Sequence, residues 1–507
     1  MHTRKLCIGT VGFLLLAVLF GCGPQEEPPL PSNSQPNVLF IAIDDLRPEL
    51  GSYGASAHTP NMDRLASDGV LFERHYVQFA VCIPSRVSLL TGLRPERTHQ
   101  MYGPPVWEKV KGAQSWGNTF RNAGYTTLSL GKIWHLYGNQ PNIDTFDITW
   151  KPHLRYTYAD PESQRDWINF RQKRSQGVPV ADIERLCPIT EAANVSDTAY
   201  VDGKVTQRAV RELRKLAEHD QPFMMAVGFV KPHIPFCAPK KYWDLYDESQ
   251  IDLAKYTNFP ENMPEIAFSN HPNFYNYTYG DYPALEEGKP MPTSTSQHLR
   301  HAYRAATSYV DAQIGLLLNE LDQLELADNT IVVLWGDHGF HLGDVGHWGK
   351  QTNFENATHS PLIMKVPSLE ARGIRHVAFV ETVDILPTLL DLCDISPLRI
   401  ADGESLAPIL SDSVSKEKNA AFHVFNRGTN INGKRQTLIG HAVRTDRYRL
   451  VSWRAGWGLE GKEHAAELYD YSQDLLETIN VIDNPDYASV RERLEKILAE
   501  GPAGRFN

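Results

Sequence analysis

A chain of 507 residues, 42% of them hydrophobic and 22% charged, is long enough to bury a large core and has the composition of an ordinary soluble protein. Its formal net charge of −11 at pH 7 argues against a nucleic-acid partner and against a broadly basic surface that would bind polyanions. An anionic substrate would therefore have to bind in a local basic pocket of an acidic protein. Beyond the first 22 residues, no stretch is apolar enough to cross a membrane.

The first 36 residues are predicted to be a signal (1–22) and a tether (23–36). A basic start precedes an apolar run too short to span a bilayer, and this run ends in Leu-Phe-Gly-Cys22. The ending resembles the lipobox of bacterial lipoproteins, which implies lipidation of Cys22 and anchoring to the cell envelope, in the periplasm or at the outer membrane, through lipid alone. The alternative is an ordinary secretory signal and a secreted protein. Residues 23–36, rich in Pro, Gln, Glu and Ser, are typical of a flexible tether.

Beyond the tether, strand-like and helix-like segments alternate. Asn37–Ile43 is a continuous apolar run rich in β-branched side chains, which is typical of a buried parallel strand. A helix is predicted to begin near Pro60, because proline is favoured in the first helical turn. Later strands are predicted at Phe223–Phe229 and Thr330–Trp335, and a helix at Leu299–Leu324 leads into the second of them. This alternation predicts an α/β fold whose mostly parallel sheet is sandwiched by helices.

The pattern changes after about residue 415. Short strands are predicted at Ala421–Phe425, Ala442–Arg444 and Tyr448–Trp453. A last helix is predicted near Ala488–Ala499. We therefore expect a larger α/β domain over residues 37–415 and a smaller C-terminal α+β subdomain over residues 416–507.

Acidic residues directly follow two of the predicted strands. Asp44 and Asp45 follow the first strand, and Asp337 and His338 follow the strand that ends near Trp335. Because open α/β sheets bind ligands at the carboxyl ends of their strands, these side chains are expected to converge. Three carboxylates favour calcium, although the imidazole shifts affinity slightly toward transition metals. For Asp44 and Asp45 taken alone, a helix cap or a solvated turn is the commoner explanation.

The most specific motif begins at Cys82. This cysteine is followed by Ile-Pro-Ser-Arg86, an apolar stretch and Thr91-Gly92, a pattern that resembles the signature of the type I sulfatases. The resemblance implies that a maturation enzyme oxidises Cys82 to formylglycine, an aldehyde whose hydrate is the nucleophile. A hydrate can expel sulfate by reverting to the aldehyde, whereas a plain serine or cysteine would be left as a stable sulfate adduct. The alternative for a lone cysteine is a small buried hydrophobic residue.

Three further motifs supply cations and imidazoles in the order found in sulfatases. The run Gly131–His135, Gly-Lys132-Ile-Trp-His135, resembles a family element that places a lysine and a histidine against the formylglycine. His233 lies in Lys-Pro-His-Ile-Pro-Phe, and Lys350 closes Gly-His-Trp-Gly-Lys. A surface lysine or a structural histidine is the commoner explanation for each motif alone. Their joint occurrence indicates a basic pocket.

Several of these motifs resemble those of the iduronate-2-sulfatases in particular, over about residues 37–470. The resemblance implies an alkaline-phosphatase-like fold, with residues 37–415 as the catalytic domain, and an exo-acting enzyme for the 2-O-sulfate of a uronate in a sulfated saccharide. One alternative is a sulfatase for another polysaccharide, such as an algal uronate polymer or a fucan. Another is a phosphonate or phosphate monoester hydrolase of the same superfamily. An inactive glycan-binding protein would need a degraded site, yet every expected catalytic residue type is present.

The resemblance also implies ligands for the metal and partners for the nucleophile. The implied calcium ligands are residue 82 together with Asp44, Asp45, Asp337 and His338. Arg86 and Lys132 are expected to hold the formylglycine hydrate, and Asp337 to help remove its proton. Lys132 and Lys350 are expected to neutralise the sulfate oxygens.

The remaining implied roles are proton transfer and recognition of the sugar. His233, aided by Lys350, is expected to protonate the departing sugar oxygen, and His135 to accept a proton as the aldehyde reforms. Arg47 is a candidate for binding the substrate carboxylate, because a guanidinium can bind it through two parallel hydrogen bonds. Its alternative role is a salt bridge that holds the turn after the first strand.

Overall fold

The structure, a computed structural model, describes residues 35–99, 110–135, 146–268, 272–286, 289–367, 369, 372–411, 418–431 and 433–501. The predicted signal, Cys22 and nearly all of the tether lie outside these residues. In the part of the chain that is described, no helix is both long and apolar enough to cross a bilayer.

The core is a mixed sheet of eight strands among the described residues, in the order β14-β2-β13-β10-β1-β7-β3-β4. These strands are β1 (Asn37–Asp44), β2 (Val70–Tyr76), β3 (Thr126–Gly131), β4 (Ile148–Trp150), β7 (Phe223–Pro232), β10 (Thr330–Gly336), β13 (Leu362–Lys365) and β14 (Ile374–Glu381). β13 runs antiparallel to both of its neighbours, and the other pairs are parallel. The predicted mostly parallel sheet is confirmed.

Short two-residue strands form additional two-stranded sheets. They are β5 (Cys187–Pro188), β6 (Thr190–Glu191), β8 (Phe236–Cys237), β9 (Tyr277–Thr278), β11 (His341–Leu342) and β12 (Trp348–Gly349). They pair as β5 with β9, β6 with β8, and β11 with β12.

The helices of the described residues cover both faces of the sheet or connect its strands. They are α1 (Pro60–Asp68), α2 (Cys82–Thr91), α3 (Pro95–Thr98), α4 (Trp116–Asn122), α5 (Pro161–Ser175), α6 (Val201–Leu216), α7 (Lys240–Trp243), α8 (Thr293–Gln323), α9 (Glu355–Thr358), α10 (Thr382–Leu392), α11 (Ala407–Leu410) and α12 (Ala488–Glu500).

The alternation of side chains along β1 shows how the two helical layers are held. Phe40 and its same-face neighbours pack with α2, α4 and α10, whereas Ile41 and its neighbours pack with α1, α6 and α8. Both side chains are fully buried, because a strand with helices on both faces exposes neither face to water. The predicted sandwich is confirmed.

The C-terminal strands form a separate antiparallel sheet. They are β15 (Ala420–Ile431), β16 (Lys434–Thr445), β17 (Tyr448–Ala455) and β18 (Glu463–Asp470), paired in that order. One face packs on α12, and the other packs on Phe79 and Val81, just before Cys82. The predicted C-terminal subdomain is present, although its β15–β16 hairpin is longer than the apolar pattern indicated and β18 was not predicted.

Candidate functional site

The predicted acidic residues do converge where neighbouring strands end. Ile43 of β1 is in register with Gly336 of β10, so Asp44 and Asp337 leave adjacent strands at the same edge. The Asp337 backbone N–H donates to the Ile43 carbonyl at 3.1 Å, and the Asp45 backbone N–H donates to Asp337 Oδ1 at 2.9 Å. All three carboxylates are fully buried.

Asp45 has left-handed backbone geometry, with φ of 60°. This conformation costs a residue with a side chain about 1–2 kcal/mol, although aspartate tolerates it better than most. The Tyr303 hydroxyl donates to the Asp45 carbonyl at 2.8 Å and accepts from the Arg47 backbone N–H at 3.0 Å. One buried tyrosine therefore holds the turn that presents both aspartates.

Cys82 is the first residue of α2 and is only 3% exposed. Its Sγ lies 3.0 Å from Lys350 Nζ, 3.9 Å from Lys132 Nζ and 3.4 Å from His338 Nε2. Burial, and next the charge of Asp44, raise the pKa of the thiol above its usual value despite the two lysines. The cysteine of the motif thus lies at the centre of the predicted basic pocket, mainly in its thiol form.

Arg86 lies one helical turn after Cys82, so both side chains leave the same face of α2. Its Nε donates to Asp337 Oδ2 at 3.0 Å, and its Nη2 lies 3.3 Å from Asp44 Oδ1. Its Nη1 donates to the Ile133 carbonyl at 3.0 Å. One buried guanidinium therefore ties together the ends of β1, β3 and β10 beside the cysteine.

The cluster contains more cations than ionised carboxylates. Each ammonium of the two lysines contacts one aspartate: Lys132 pairs with Asp44, and Lys350 with Asp45. Burial opposes both charges, yet Asp44 raises the pKa of Lys132, and Asp45 raises that of Lys350 further still. Three buried cations, Lys132, Lys350 and Arg86, thus face the two ionised carboxylates of Asp44 and Asp45. A bound divalent cation would leave the site net positive and ready for an anion.

The residues present fit a divalent cation. One ligand atom from each of Asp44, Asp45, Cys82 and His338 lies within 4.8 Å of the others. Asp45 Oδ2 is buried and has no hydrogen-bond partner within the described chain. His338 Nδ1 lies 2.9 Å from the Gly339 carbonyl oxygen, so Nδ1 must carry the proton and donate it. In this neutral tautomer the lone pair is on Nε2, which lies beside Asp45. Carboxylates and a neutral imidazole are ligands that such ions accept.

Asp337 lies beside this four-residue cluster rather than in it. Its Oδ2 is engaged by Arg86, and its Oδ1 lies 3.5 Å from His338 Nε2. Burial first, then the charge of Asp44, raise the pKa of Asp337 to about 8, against the opposing effects of His338 and Arg86. Its predicted role as a metal ligand remains a prediction.

The two predicted proton-transfer histidines reach the site from different strand ends. His233 follows β7, and its Nε2 lies 3.9 Å from Asp45 Oδ2 with the side chain 17% exposed. Burial lowers the pKa of His233 to about 4, against the opposing effect of Asp45. His135 follows β3, where burial and then Lys132 lower its pKa to about 2. Both imidazoles are therefore neutral at pH 7.

Two residues that position His233 were not assigned from the sequence. Lys231 is fully buried, and its ammonium donates to the carbonyls of His233, at 2.9 Å, and Pro235. The Asp202 carboxylate accepts from the backbone N–H groups of Val230 and Lys231, both at 2.8 Å. The Lys-Pro-His motif was a visible signal for Lys231. Asp202 gave none, because it lies in the otherwise ordinary helix α6.

Arg47 is already paired within the protein. Its Nη1 lies 2.6 Å from Asp344 Oδ2, its Nε lies 3.3 Å from Glu49 Oε2, and its side chain is 15% exposed. Burial opposes its charge, but Asp344 and then Glu49 raise its pKa above the usual value. This is a salt bridge beside the turn, as in the second of its two predicted roles. Binding of a substrate carboxylate by Arg47 remains a prediction.

The fold and the buried, cation-rich strand ends define a hydrolase for an anionic ester, and comparison with known proteins agrees. The Sulfatase family model matches residues 36–395, and the model named N-sulphoglucosamine sulphohydrolase, C-terminal, matches residues 343–502. Iduronate 2-sulfatase of Homo sapiens is 33% identical over 94% of this chain and 96% of its own length. Its Mus musculus counterpart is 31% identical over 90% and 93%. A phosphonate monoester hydrolase structure from Agrobacterium radiobacter shares the fold, with a TM-score of 0.69 and 24% identity over 91% of this chain and 94% of its own.

The chain therefore belongs to the sulfatase family and is a sulfuric ester hydrolase. The structural likeness to the phosphonate monoester hydrolase supports the fold alone. The predicted alkaline-phosphatase-like architecture and the predicted class of enzyme are both confirmed.

Proposed function

We propose that this sulfatase removes the 2-O-sulfate from a terminal uronate of a sulfated saccharide, in the manner of an iduronate-2-sulfatase, using formylglycine made from Cys82 and calcium. The observation that carries the proposal is the cluster around Cys82, in which the charges of Arg86, Lys132 and Lys350 all act on one buried residue. Whole-length similarity to two iduronate 2-sulfatases supports the choice of substrate.

The state of Cys82 supports its modification. A buried thiol whose pKa is raised is a poor nucleophile, because the thiolate is the reactive form. Once formed, formylglycine would supply a hydrate as the nucleophile, and calcium held by residue 82 together with Asp44, Asp45 and His338 would polarise the sulfate. A maturation enzyme is therefore a required partner of this chain.

The surrounding residues have separable tasks. Arg86, fixed between three strand ends, and Lys132 orient residue 82. The Lys350 ammonium, 3.0 Å from Sγ, lies where a sulfate oxygen must approach and stabilises its negative charge. These groups are held before substrate arrives, so little reorganisation is needed in the transition state.

His233 and His135 divide the proton transfers. His233 is partly exposed and next to Asp45, so it can reach the oxygen that leaves with the sugar and protonate it. Because the pKa of His233 is about 4 without substrate, the imidazole must first take up a proton from solvent, which the negative charge of a bound sulfate ester favours. His135 is neutral and accepts the proton that regenerates the resting site.

The proposed location in the cell rests on the first 22 residues. The lipobox-like ending at Cys22 supports an enzyme tethered in the periplasm or at the outer membrane. Replacement of Cys22 by serine should then release the enzyme from the membrane fraction, with no change in its turnover. Retention of the variant on membranes would contradict lipid anchoring.

The substrate is tested with defined sulfated disaccharides. We expect fastest turnover for a non-reducing uronate 2-O-sulfate, slower turnover for sulfate at other positions, and little hydrolysis of an aryl phosphonate. Preference for sulfated fucose or for an internal sulfate would replace the proposed substrate with another sulfated polysaccharide. Dominant phosphonate hydrolysis would assign the chain to the other activity found on this fold.

A further inference from the structure

A cavity of about 640 Å³ lies beside the C-terminal sheet, next to the end of α12. It is lined by β15, β16, the loop after β17 and the end of α12, and on the opposite side by α3. Cys82 begins α2, whereas α3 follows the other end of that ten-residue helix, which spans about 15 Å. None of the described residues assigned to sulfate hydrolysis lines the cavity, so it is separate from the catalytic cluster.

The wall of this cavity contains buried acceptors without donors. His441 is 4% exposed, and its Nε2 has no hydrogen-bond partner in the described part of the chain. Its other ring nitrogen forms a hydrogen bond with the Gly456 backbone. Glu96 Oε2 is likewise buried and has no hydrogen-bond partner among the described residues; Arg94 pairs with Glu381, although its charge also acts on Glu96. Buried polar atoms are normally satisfied, so this wall calls for a ligand that donates hydrogen bonds.

The remaining wall is aromatic and acidic. The Trp457 indole stacks on His99, with ring centroids 4.9 Å apart and an interplanar angle of 16°, and Phe422 adds a second aromatic surface. Two carboxylates, Glu96 and Glu460, line the cavity, whereas no lysine or arginine does among the described residues. These two acidic side chains disfavour a sulfated or uronate ligand and favour a cationic one.

We propose that this cavity binds an amine-bearing saccharide residue, that is, an unsulfated amino sugar. Its ammonium and hydroxyl groups would donate to Glu96 and His441, and its C–H face would pack against the aromatic wall. Burial raises the pKa of Glu96 to about 7, and a bound ammonium would favour the charged carboxylate. The volume lies within the range of about 300–1,000 Å³ that is typical of small-molecule sites. The proposal does not depend on the catalytic substrate.

The test is calorimetric titration of the full-length enzyme with a glucosamine disaccharide that carries free amines, and with glucuronate for comparison. Binding of the amine-bearing disaccharide alone is expected. Glu96→Gln, which removes the charge but keeps the shape, should weaken binding about tenfold or more, because it loses a charge-assisted hydrogen bond. Glu495→Gln is the matched control, since Glu495 pairs with Arg491 on α12 and does not line the cavity.

Trp457→Ala, which removes the partly exposed ring that stacks on His99, provides a second variant. It should also weaken binding, while aryl sulfate turnover stays unchanged in all three variants. Absence of binding by the wild type, equal affinity for glucuronate, or equal effects of Glu96→Gln and Glu495→Gln would overturn the proposal. Because aryl sulfate turnover is measured separately, failure of the cavity proposal and failure of the catalytic proposal give different results.

Discussion

Replacement of Lys231 by methionine should impair transfer of a proton to the leaving group more than the other steps of hydrolysis. The Lys231 ammonium donates to the carbonyls of His233 and Pro235, and so fixes the loop that carries the proposed acid. Methionine has a similar length and can fill the same space, but it cannot donate these hydrogen bonds. The substitution therefore removes the support of His233 without removing His233 itself.

The size of the effect follows from these contacts. Two buried carbonyls left without a donor cost about 1–3 kcal/mol each. Loss of the buried charge offsets part of this cost, because burial already lowers the pKa of Lys231. We expect a fall of about 2 kcal/mol in the free energy of unfolding. A shift of about 1 Å in His233 would lower the rate about 100-fold wherever its proton is needed.

Two substrates separate these effects. A sugar alkoxide is a poor leaving group that needs a proton, whereas 4-nitrophenolate leaves without one. Lys231→Met should therefore lower kcat/KM about 100-fold for a sugar sulfate and less than about tenfold for 4-nitrophenyl sulfate. Urea denaturation measures the change in unfolding free energy on the same samples.

Lys240→Met is the matched control. Lys240 is an exposed lysine of α7 that pairs with Asp244, and this type of surface pair contributes little to stability. The control should leave both kcat/KM and the free energy of unfolding nearly unchanged. Equal losses on the two substrates in Lys231→Met would refute the assignment of Lys231 to His233.

Asp337→Asn should lower activity and stability more than His338→Asn, because the former weakens a buried hydrogen bond from a guanidinium, a loss of about 2 kcal/mol; equal, complete loss in both would require another role for His338. Chelation should lower the Tm and added calcium should restore it, because an ion that binds only the folded state stabilises it; an unchanged Tm would argue against the site. Arg47→Ala should lower kcat/KM equally for uronate and aryl sulfates, since Arg47 pairs with Asp344; a rise in KM for the uronate alone would establish carboxylate recognition. Burial lowers the pKa of His75 from 6.5 to about 3, so the unfolded chain binds a proton at a higher pH than the folded protein does. The contribution of His75 to the free energy of unfolding should therefore fall by about 1.4 kcal/mol per pH unit between pH 6.5 and 3. In urea denaturation, His75→Gln should reduce the dependence of stability on pH in this range, and an unchanged dependence would contradict a buried, neutral His75.

The strand ends were predictable because their signal is local. An apolar, β-branched run followed by acidic residues is visible in the sequence, and parallel strands bring their carboxyl ends to one edge. This rule placed Asp44 and Asp337 side by side, as the structure does. Arg86 was expected beside residue 82 only from the resemblance of the motif, because no helix was predicted there, whereas the structure places both residues one turn apart in α2.

Features that depend on distant contacts were not predictable. The left-handed turn at Asp45 is held by Tyr303, which is 258 residues away in the chain. The pairing of Arg47 with Asp344 needs the loop after β10 to fold back. Helix α8 begins at Thr293, six residues before the predicted Leu299. The prediction missed its first turns because they are polar and show no apolar period.

The most direct test of the proposed chemistry is the mass of the peptide that contains residue 82, measured together with turnover. In enzyme produced with a maturation enzyme, this peptide should lose sulfur and gain oxygen, and kcat should rise in proportion to the modified fraction. Cys82→Ala should abolish turnover while the protein stays folded. Full activity in protein whose Cys82 is entirely unmodified would contradict the formylglycine mechanism.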